Sequence, residues 1–116
     1  MKDSFMIEAL SVYICNDRTE LGCLSARAVY DRINELFKTK EKINLLFAAA
    51  PSQNEFLEAL TAYEDIPWQR INAFHMDEYI GLDCNAPQCF ANFLKERIFG
   101  RLPFKSVNYI DGNSKE

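Results

Sequence analysis

The chain has 116 residues, of which 48% are hydrophobic and 26% charged, and its formal net charge is -4 at pH 7. This length fits one domain with a usable core, and the composition excludes a disordered chain. The mild negative charge without a dense Lys/Arg stripe argues against nucleic-acid binding. No apolar run is long enough to cross a bilayer, and polar residues interrupt any signal-peptide core, so we expect a cytoplasmic protein without membrane contact.

The cysteine content argues against a structural metal or a disulfide framework. None of the four cysteines forms a Cys-x-x-Cys pair, and a single histidine cannot complete the usual zinc set. We expect reduced thiols. Cys84 and Cys89 flank a loop beside the acidic motif described below, so one of them could be reactive, but an inert small hydrophobe is the favoured interpretation.

The N-terminal part predicts a strand followed by a long helix. Residues 1–9 are ambiguous between a short arm and a helix, whereas residues 10–15 alternate and are rich in β-formers, which indicates the first strand. Asp17 and Glu20 match a capping box at a helix start. The apolar side of this helix, at a period of about 3.6, consists of Ala26, Val29, Tyr30, Ile33, Leu36 and Phe37.

The middle of the chain predicts a strand, a short helix and another strand. Residues 43–50 form a nearly unbroken apolar run, which favours a parallel strand covered on both faces. Pro51 interrupts the run, and Ser52 with Glu55 matches a second capping box. Residues 71–75 then indicate the third strand. The side of the short helix that we expect to be buried carries Phe56, Leu57 and Leu60.

The C-terminal part predicts a third helix and a fourth strand. Residues 83–86 indicate a turn, Pro87 suits the first helical turn, and Gly100 suits the end of the helix. Residues 107–110 indicate the fourth strand. Alternating strands and helices are typical of right-handed βαβ units, so we expect one α/β domain over residues 1–116 with a mainly parallel sheet.

Ionisable residues are grouped at the end of the third strand. His75, Asp77 and Glu78 directly follow residues 71–74. In α/β proteins ligands bind outside the carboxyl ends of the strands, and burial or like charges there can prepare carboxylates for acid–base chemistry. A polar strand end capped by a turn is the alternative. A metal site at these three residues is a weaker one, because one histidine with adjacent acids is a poor ligand set.

The segment after the second strand has the position of a phosphate-binding loop. Residues 48–54 run from strand through loop to helix, where backbone amides can bind an anion with help from the Ser52 hydroxyl. The segment contains no glycine, so a plain capped turn is the competing interpretation. The candidate substrate-binding residues are Ala50, Pro51, Ser52 and Gln53.

Residues 74–82, Phe-His-Met-Asp-Glu-Tyr-Ile-Gly-Leu, resemble the Phe-x-Met-Asp-Glu-Tyr-x-Gly-Leu signature of the glucosamine-6-phosphate deaminase/isomerase family. The resemblance covers most of the chain after the first strand, including the ending Tyr-Ile-Asp-Gly-Asn at residues 109–113. It implies a Rossmann-like three-layer fold, incomplete in this chain, that acts on a phosphorylated amino sugar without a cofactor or metal. The base that moves a proton between C2 and C1 of the opened sugar maps to Asp77, and Glu78 beside it supports the loop.

Two stretches depart from the family pattern. The family's phosphate loop reads Thr-Gly-Gly-Thr-Pro or close to it, whereas residues 49–53 read Ala-Ala-Pro-Ser-Gln, so only Ser52 keeps a hydroxyl. After Pro87 the family often has Ser-Tyr, where this chain has Cys89 and Phe90. Family members are also much longer, and their second half supplies a further acid, the catalytic histidine and basic phosphate ligands. The resemblance therefore implies an N-terminal portion that is inactive by itself.

Several functions remain open within this interpretation. Galactosamine-6-phosphate or another phosphosugar could be the substrate, and a non-catalytic sugar-phosphate-binding domain is the alternative from a different class. A phosphogluconolactonase relative shares the fold, but the Met-Asp-Glu-Tyr motif favours the deaminase. Because an incomplete sheet exposes apolar surface, we also expect a homo-oligomer.

Overall fold

The computed structural model describes residues 1–114, which fold into a β-hairpin and a parallel three-stranded sheet flanked by helices. The hairpin pairs β1 (Asp3–Ile7) with β2 (Leu10–Ile14). The main sheet has the order β3 (Ile43–Phe47), β4 (Ile71–His75), β5 (Ser106–Asn108). The helices are α1 (Arg18–Phe37), α2 (Asn54–Thr61) and α3 (Phe90–Leu94). The predicted α/β class with a parallel sheet is confirmed.

The N-terminal hairpin differs from what the sequence predicts. Residues 1–9 contain a strand, so the arm-or-helix interpretation was wrong. Glu8, with φ of 53°, lies in the turn that brings Ile7 opposite Leu10. Antiparallel neighbours need only such a tight turn, whereas parallel neighbours need a long crossover. β2 therefore pairs with β1 and not with the main sheet, contrary to the prediction of a first βαβ unit.

The start of α1 follows its capping signal with a shift of one residue. The Asp17 carboxylate accepts a hydrogen bond from the Glu20 N–H at 2.9 Å. The Glu20 carboxylate accepts from the Asn16 N–H at 2.7 Å, one residue before the cap. Ala26 and Ile33 are buried, so the predicted apolar side of the helix is confirmed.

The main sheet is covered on one face. Ile43, Phe47 and Ala73 point into the core, where they pack with buried residues of all three helices. On the opposite face Asn44 is exposed and Leu46 is 62% exposed. The prediction of a strand covered on both faces was wrong for β3, because the described helices pack on the same side. Residues 1–114 thus form two of the three layers that the resemblance implies.

A row of polar side chains crosses the open face of the sheet. Asn72 donates to the Asn44 side-chain oxygen at 3.1 Å, and the Ser106 hydroxyl donates to the Asn72 side-chain oxygen at 2.7 Å. Asn108 donates to the Ser106 hydroxyl at 3.1 Å. The backbone register sets Asn44 beside Asn72 and Asn72 beside Ser106, so this polar ladder spans all three strands.

The second capping box is absent. Pro51–Gln53 forms a 3-10 turn before α2, and Ser52 does not cap either element. The Glu55 carboxylate instead accepts two hydrogen bonds from the Arg18 guanidinium, at 3.0 and 2.9 Å. Because a two-point hydrogen bond between two charged groups is stronger than a single bond from a backbone amide to a carboxylate, Glu55 pairs with Arg18 and does not complete the local capping box.

The third helix begins later than predicted and changes pitch. It starts at Phe90, so placing Pro87 in its first turn was wrong; Pro87 lies in the preceding turn. After α3 the chain widens into a π turn, Lys95–Phe99, closed by the Gly100 N–H donating to the Lys95 carbonyl at 2.8 Å. The predicted stop at Gly100 is confirmed. No helix within residues 1–114 is both long and apolar enough to cross a membrane.

Candidate functional site

Two loops leave the main sheet side by side at its carboxyl edge. They are the β3–α2 loop (residues 48–53) and the motif loop (residues 76–82). In the parallel register Phe47 lies beside His75, and the Met76 N–H donates to the Phe47 carbonyl at 3.0 Å. This edge is where ligands bind in open α/β sheets. Both predicted site segments thus begin next to each other, after Phe47 and after His75.

His75 is buried, with 4% of its surface exposed, and both ring nitrogens are used inside the fold. Nε2 accepts a hydrogen bond from the Ile110 N–H at 2.9 Å, so the proton is on Nδ1, which donates to the Asp77 carbonyl at 2.9 Å. Within residues 1–114 no three His, Cys, Asp or Glu side chains form a group that could hold a metal ion. With both ring nitrogens engaged, His75 has no free nitrogen to offer a metal in the weak hypothesis at His75, Asp77 and Glu78.

Glu78 points inward and caps α3. Its carboxylate accepts hydrogen bonds from the backbone N–H groups of Tyr79, Phe90 and Ala91 at 3.0, 2.9 and 3.0 Å. Burial alone would raise the pKa of Glu78, but these three donors bring it below its ordinary value. The Glu78 side chain thus anchors the motif loop to the start of a helix, where a negative charge is favourable.

Asp77, in contrast, points outward. It is exposed, and its carboxylate makes no hydrogen bond or ion pair with any residue from 1 to 114. Only its backbone carbonyl is engaged, by His75. The fold therefore separates the two neighbouring acids: the Glu78 carboxylate is held by backbone amides, and the Asp77 carboxylate is free to meet a ligand.

The far side of the motif loop contacts the segment after β5. The Gly81 N–H donates to the Gly112 carbonyl at 3.0 Å, and the Asn113 side-chain amide donates to the Leu82 carbonyl at 2.8 Å. Gly81 has φ of 81°, a conformation that favours glycine. Sequence reasoning did not single out Gly112 or Asn113 for the site, although the family-like ending at residues 109–113 was a signal for them.

The β3–α2 loop lies at a cleft between α1 and α2. Ser52, Gln53 and Arg18 are among the residues that line a cavity of about 530 Å³ there, and Asp77 does not line it. The Arg18 guanidinium donates to the Pro51 carbonyl at 2.8 Å as well as to Glu55. The structure therefore does not bring Ser52 and Asp77 into one pocket. It adds Arg18, which sequence reasoning missed because its partners are distant in the chain.

A smaller cavity, of about 240 Å³, lies under the motif loop and is lined by Glu78, Cys84 and Cys89 among others. Cys89 is buried, and its thiol donates to the Asp83 carbonyl at 3.2 Å. Burial, and then the charge of Glu78, raise the pKa of Cys89, which lowers its thiolate fraction and supports the inert interpretation. Cys84 is exposed and free.

The backbone resembles solved structures of enzymes named for phosphorylated sugars. A monomeric glucosamine-6-phosphate deaminase aligns with a TM-score of 0.74 and 24% identity, over 88% of this chain and 43% of that one. A 6-phosphogluconolactonase from Thermotoga maritima aligns with a TM-score of 0.76 and 22% identity, over 86% and 45%. Likeness at this level of identity shows the fold. The chain therefore has the Rossmann-like α/β fold of this structural class, as predicted.

The relatives found by sequence share one name within this structural class. The chain is 29% identical over 106 residues to the glucosamine-6-phosphate deaminase of Tolumonas auensis and 28% identical over 106 residues to that of Aliivibrio salmonicida. These matches confirm the predicted resemblance to the glucosamine-6-phosphate deaminase family. They cover 86% and 85% of this chain, which spans 40% of the length of each relative. No family model matches the sequence.

Proposed function

We propose that the whole protein is a glucosamine-6-phosphate deaminase/isomerase. In this reaction a base removes the C2 proton of the opened amino sugar and delivers a proton to C1, and water then replaces the C2 nitrogen, which leaves as ammonia. The observation that carries the proposal is the free, exposed Asp77 carboxylate at the end of the central strand β4. The names of the sequence relatives support the substrate class.

Asp77 is the proposed catalytic base. One carboxylate that reaches two adjacent carbons can move a proton between them through an enediol-type intermediate. Such a base needs a free carboxylate on a fixed backbone. The anchored Glu78 side chain and the hydrogen bond from His75 to the Asp77 carbonyl supply the second condition. In this proposal Glu78 orients the loop.

The β3–α2 loop is the proposed contact for the sugar phosphate, through Ala50, Pro51, Ser52 and Gln53. Pro51 has no N–H to donate, and the Gln53 N–H donates to the Ala50 carbonyl at 2.8 Å. The exposed Ser52 offers both an N–H and a hydroxyl, so we propose it as the main donor. We expect weaker phosphate binding than a glycine-rich loop gives, and therefore a requirement for further basic ligands.

Within residues 1–114 the single imidazole is committed to the fold, so no free histidine accompanies Asp77. We therefore expect residues 1–116 alone to show no turnover.

Two alternatives remain: a galactosamine-6-phosphate isomerase, and a non-catalytic sugar-phosphate-binding domain. The glycine-free loop favours either a changed pocket or binding without chemistry. We further propose a cytoplasmic location.

The test is ammonia release by the whole protein from glucosamine-6-phosphate and from galactosamine-6-phosphate. We expect Asp77→Asn to lower kcat by about 10²- to 10⁴-fold, as for loss of a general base. Asp83→Asn removes the same charge from the following loop and should leave kcat nearly unchanged. An active Asp77→Asn variant would contradict the assignment of the base. Sugar-phosphate binding that survives Asp77→Asn, with no turnover by the wild type, would favour the non-catalytic domain.

We also propose a homo-oligomer, because the hairpin exposes a band of large apolar side chains. Met6, Ile7, Leu10 and Tyr13 are 61%, 55%, 62% and 60% exposed. Light scattering of the whole protein tests this, and a clean monomer would contradict it. One structural neighbour is described as a monomeric deaminase, so a monomer would leave the enzymatic proposal intact.

A further inference from the structure

The segment after β5 holds the motif loop at several points. This segment, residues 110–113, is called the strap below. Its first residue bonds to His75 at the start of the loop, and the Gly112 carbonyl accepts from the Gly81 N–H at 3.0 Å near its end. Asn113 donates to the Leu82 carbonyl at 2.8 Å. The loop that presents Asp77 is therefore held by the strap at both of its ends.

Gly112 sits at the closest approach between strap and loop. A Cβ at this position would lie 2.0 Å from the Tyr79 carbonyl oxygen, 3.1 Å from the Tyr79 carbonyl carbon and 3.5 Å from the Glu78 Cγ. The nearest atoms belong to backbone, which cannot swing away as a long side chain can. Among the described residues the glycine with positive φ is Gly81, so Gly112 is required for space and not for an unusual backbone angle.

The position of Tyr79 in turn affects both acids. Its N–H donates to the Glu78 carboxylate, which also caps α3. A strap pushed away from Tyr79 loses the Gly81 and Leu82 contacts, and a displaced Tyr79 pulls on the Glu78 anchor. In either case the backbone that carries Asp77 moves.

We propose that Gly112 is a positioning residue, whose missing side chain lets the strap hold the motif loop and so fixes the Asp77 carboxylate relative to the substrate. The inference rests on the proposed function, since it assigns Gly112 to the geometry of the same base. Misplacing a base by about 1 Å can lower a rate by about a hundredfold without removing the base.

The test compares Gly112→Ala with Gly100→Ala in the whole protein. The control inserts the same methyl group against backbone, 2.7 Å from the Lys95 carbonyl oxygen, but at the far end of the π turn. For Gly112→Ala we expect faster amide exchange at Gly81 and a kcat about a hundredfold lower with little change in KM. For Gly100→Ala we expect both quantities to stay near the wild-type values.

The outcomes separate the inference from the proposed function. The positioning role is overturned if the Gly81 amide of Gly112→Ala exchanges at the wild-type rate. It is also overturned if that exchange rate changes while kcat does not. If the wild type releases no ammonia, the enzymatic proposal fails, and so does the role that depends on it, while the exchange data still report the strap contact. If Gly112→Ala does not fold, Asn113→Ala removes the bond to Leu82 without a clash. It should lower kcat with little change in KM, and an unchanged kcat overturns the role.

Discussion

The Ile110 N–H donates to His75 Nε2 over 2.9 Å and thereby joins the segment that follows β5 to the last residue of β4. The other nitrogen of the same ring, Nδ1, donates to the Asp77 carbonyl. One buried imidazole thus connects the central strand, the motif loop and the strap. His75 is a structural residue at the centre of the candidate site, although a histidine beside two acids invites a catalytic interpretation.

Replacing His75 with phenylalanine should destabilise the protein, because the Ile110 N–H and the Asp77 carbonyl both lose a partner. We expect a loss of about 1–3 kcal/mol in the free energy of unfolding, because two hydrogen bonds worth about 0.5–1.5 kcal/mol each are removed. Urea unfolding measures it. His75→Gln, which can place an acceptor near the Nε2 position, should lose less. Equal losses in the two variants would contradict the role of the Ile110 hydrogen bond.

Neutralising Glu78 should weaken the anchor of the motif loop. The free energy of unfolding of Glu78→Gln should be lower by about 1–2 kcal/mol at pH 7, because charge-assisted bonds to backbone amides at a helix start become neutral ones. Glu64→Gln is the control, because Glu64 is exposed and its carboxylate has no hydrogen bond within residues 1–114. A control loss as large as that of Glu78→Gln would contradict the capping role.

The same variant should change the pH dependence of stability. The pKa of Glu78 is lower in the folded protein than its ordinary value of 4.5, so the folded state binds fewer protons than the unfolded state. Its contribution is therefore fully present above the ordinary pKa and is lost as the pH falls through the lower, folded value. We expect the difference between wild type and Glu78→Gln to shrink in acid below that ordinary value. A difference that stays constant down to strong acid would show that the carboxylate charge is unimportant.

Removing Arg18 should loosen the β3–α2 loop more than it destabilises the fold. The Arg18 nitrogen that bonds Glu55 is part of a 62% exposed side chain, so Arg18→Ala should lower the unfolding free energy by about 1 kcal/mol or less. The Pro51 carbonyl loses its partner, so the Gln53 amide should exchange faster. Arg32→Ala, which removes an equally exposed arginine that pairs with Glu35, should leave that exchange unchanged. Equal exchange of the Gln53 amide in both variants would contradict a role of Arg18 in holding the β3–α2 loop.

The cysteines should differ in reactivity. Cys89 is buried with a raised pKa, whereas Cys23 and Cys84 are exposed. We expect iodoacetamide at neutral pH to label Cys23 and Cys84 in the folded protein and Cys89 only after unfolding. Mass spectrometry of the labelled peptides gives the order. Rapid labelling of Cys89 in the native state would show that the loop around it opens.

Local sequence patterns predicted the central features of the fold correctly. β4 was predicted over its full length, because its apolar pattern is local and the polar motif marks its end. The burial of Leu57 and Leu60 followed from helical spacing in the same way. The exposed position of Asp77 and the inward position of Glu78 did not follow, since adjacent acids in a loop carry no periodicity that separates them.

The missed features depend on partners distant in the chain. Glu78 caps a helix that begins at Phe90, and Glu55 pairs with Arg18 and not with the predicted capping box. Neither pairing can be read from short spacing, because the loops between the partners determine which groups meet. The open face at Leu46 was missed for a related reason: an apolar run shows that a strand can be covered, not that a covering element is present.

The polar ladder on the open face has a consequence for how the sheet assembles. A shift of β4 by one residue would turn Asn72 toward the core and separate it from Asn44 and Ser106. Each misaligned pairing would thus bury an amide without a partner, at a cost of about 1–3 kcal/mol. The same shift would turn the buried Ile71 and Ala73 away from the core, so the hydrophobic pattern disfavours it as well. The four hydrogen-bonded side chains of the polar ladder therefore favour a single alignment of the strands, and this alignment fixes where β4 places Asp77 at the sheet edge.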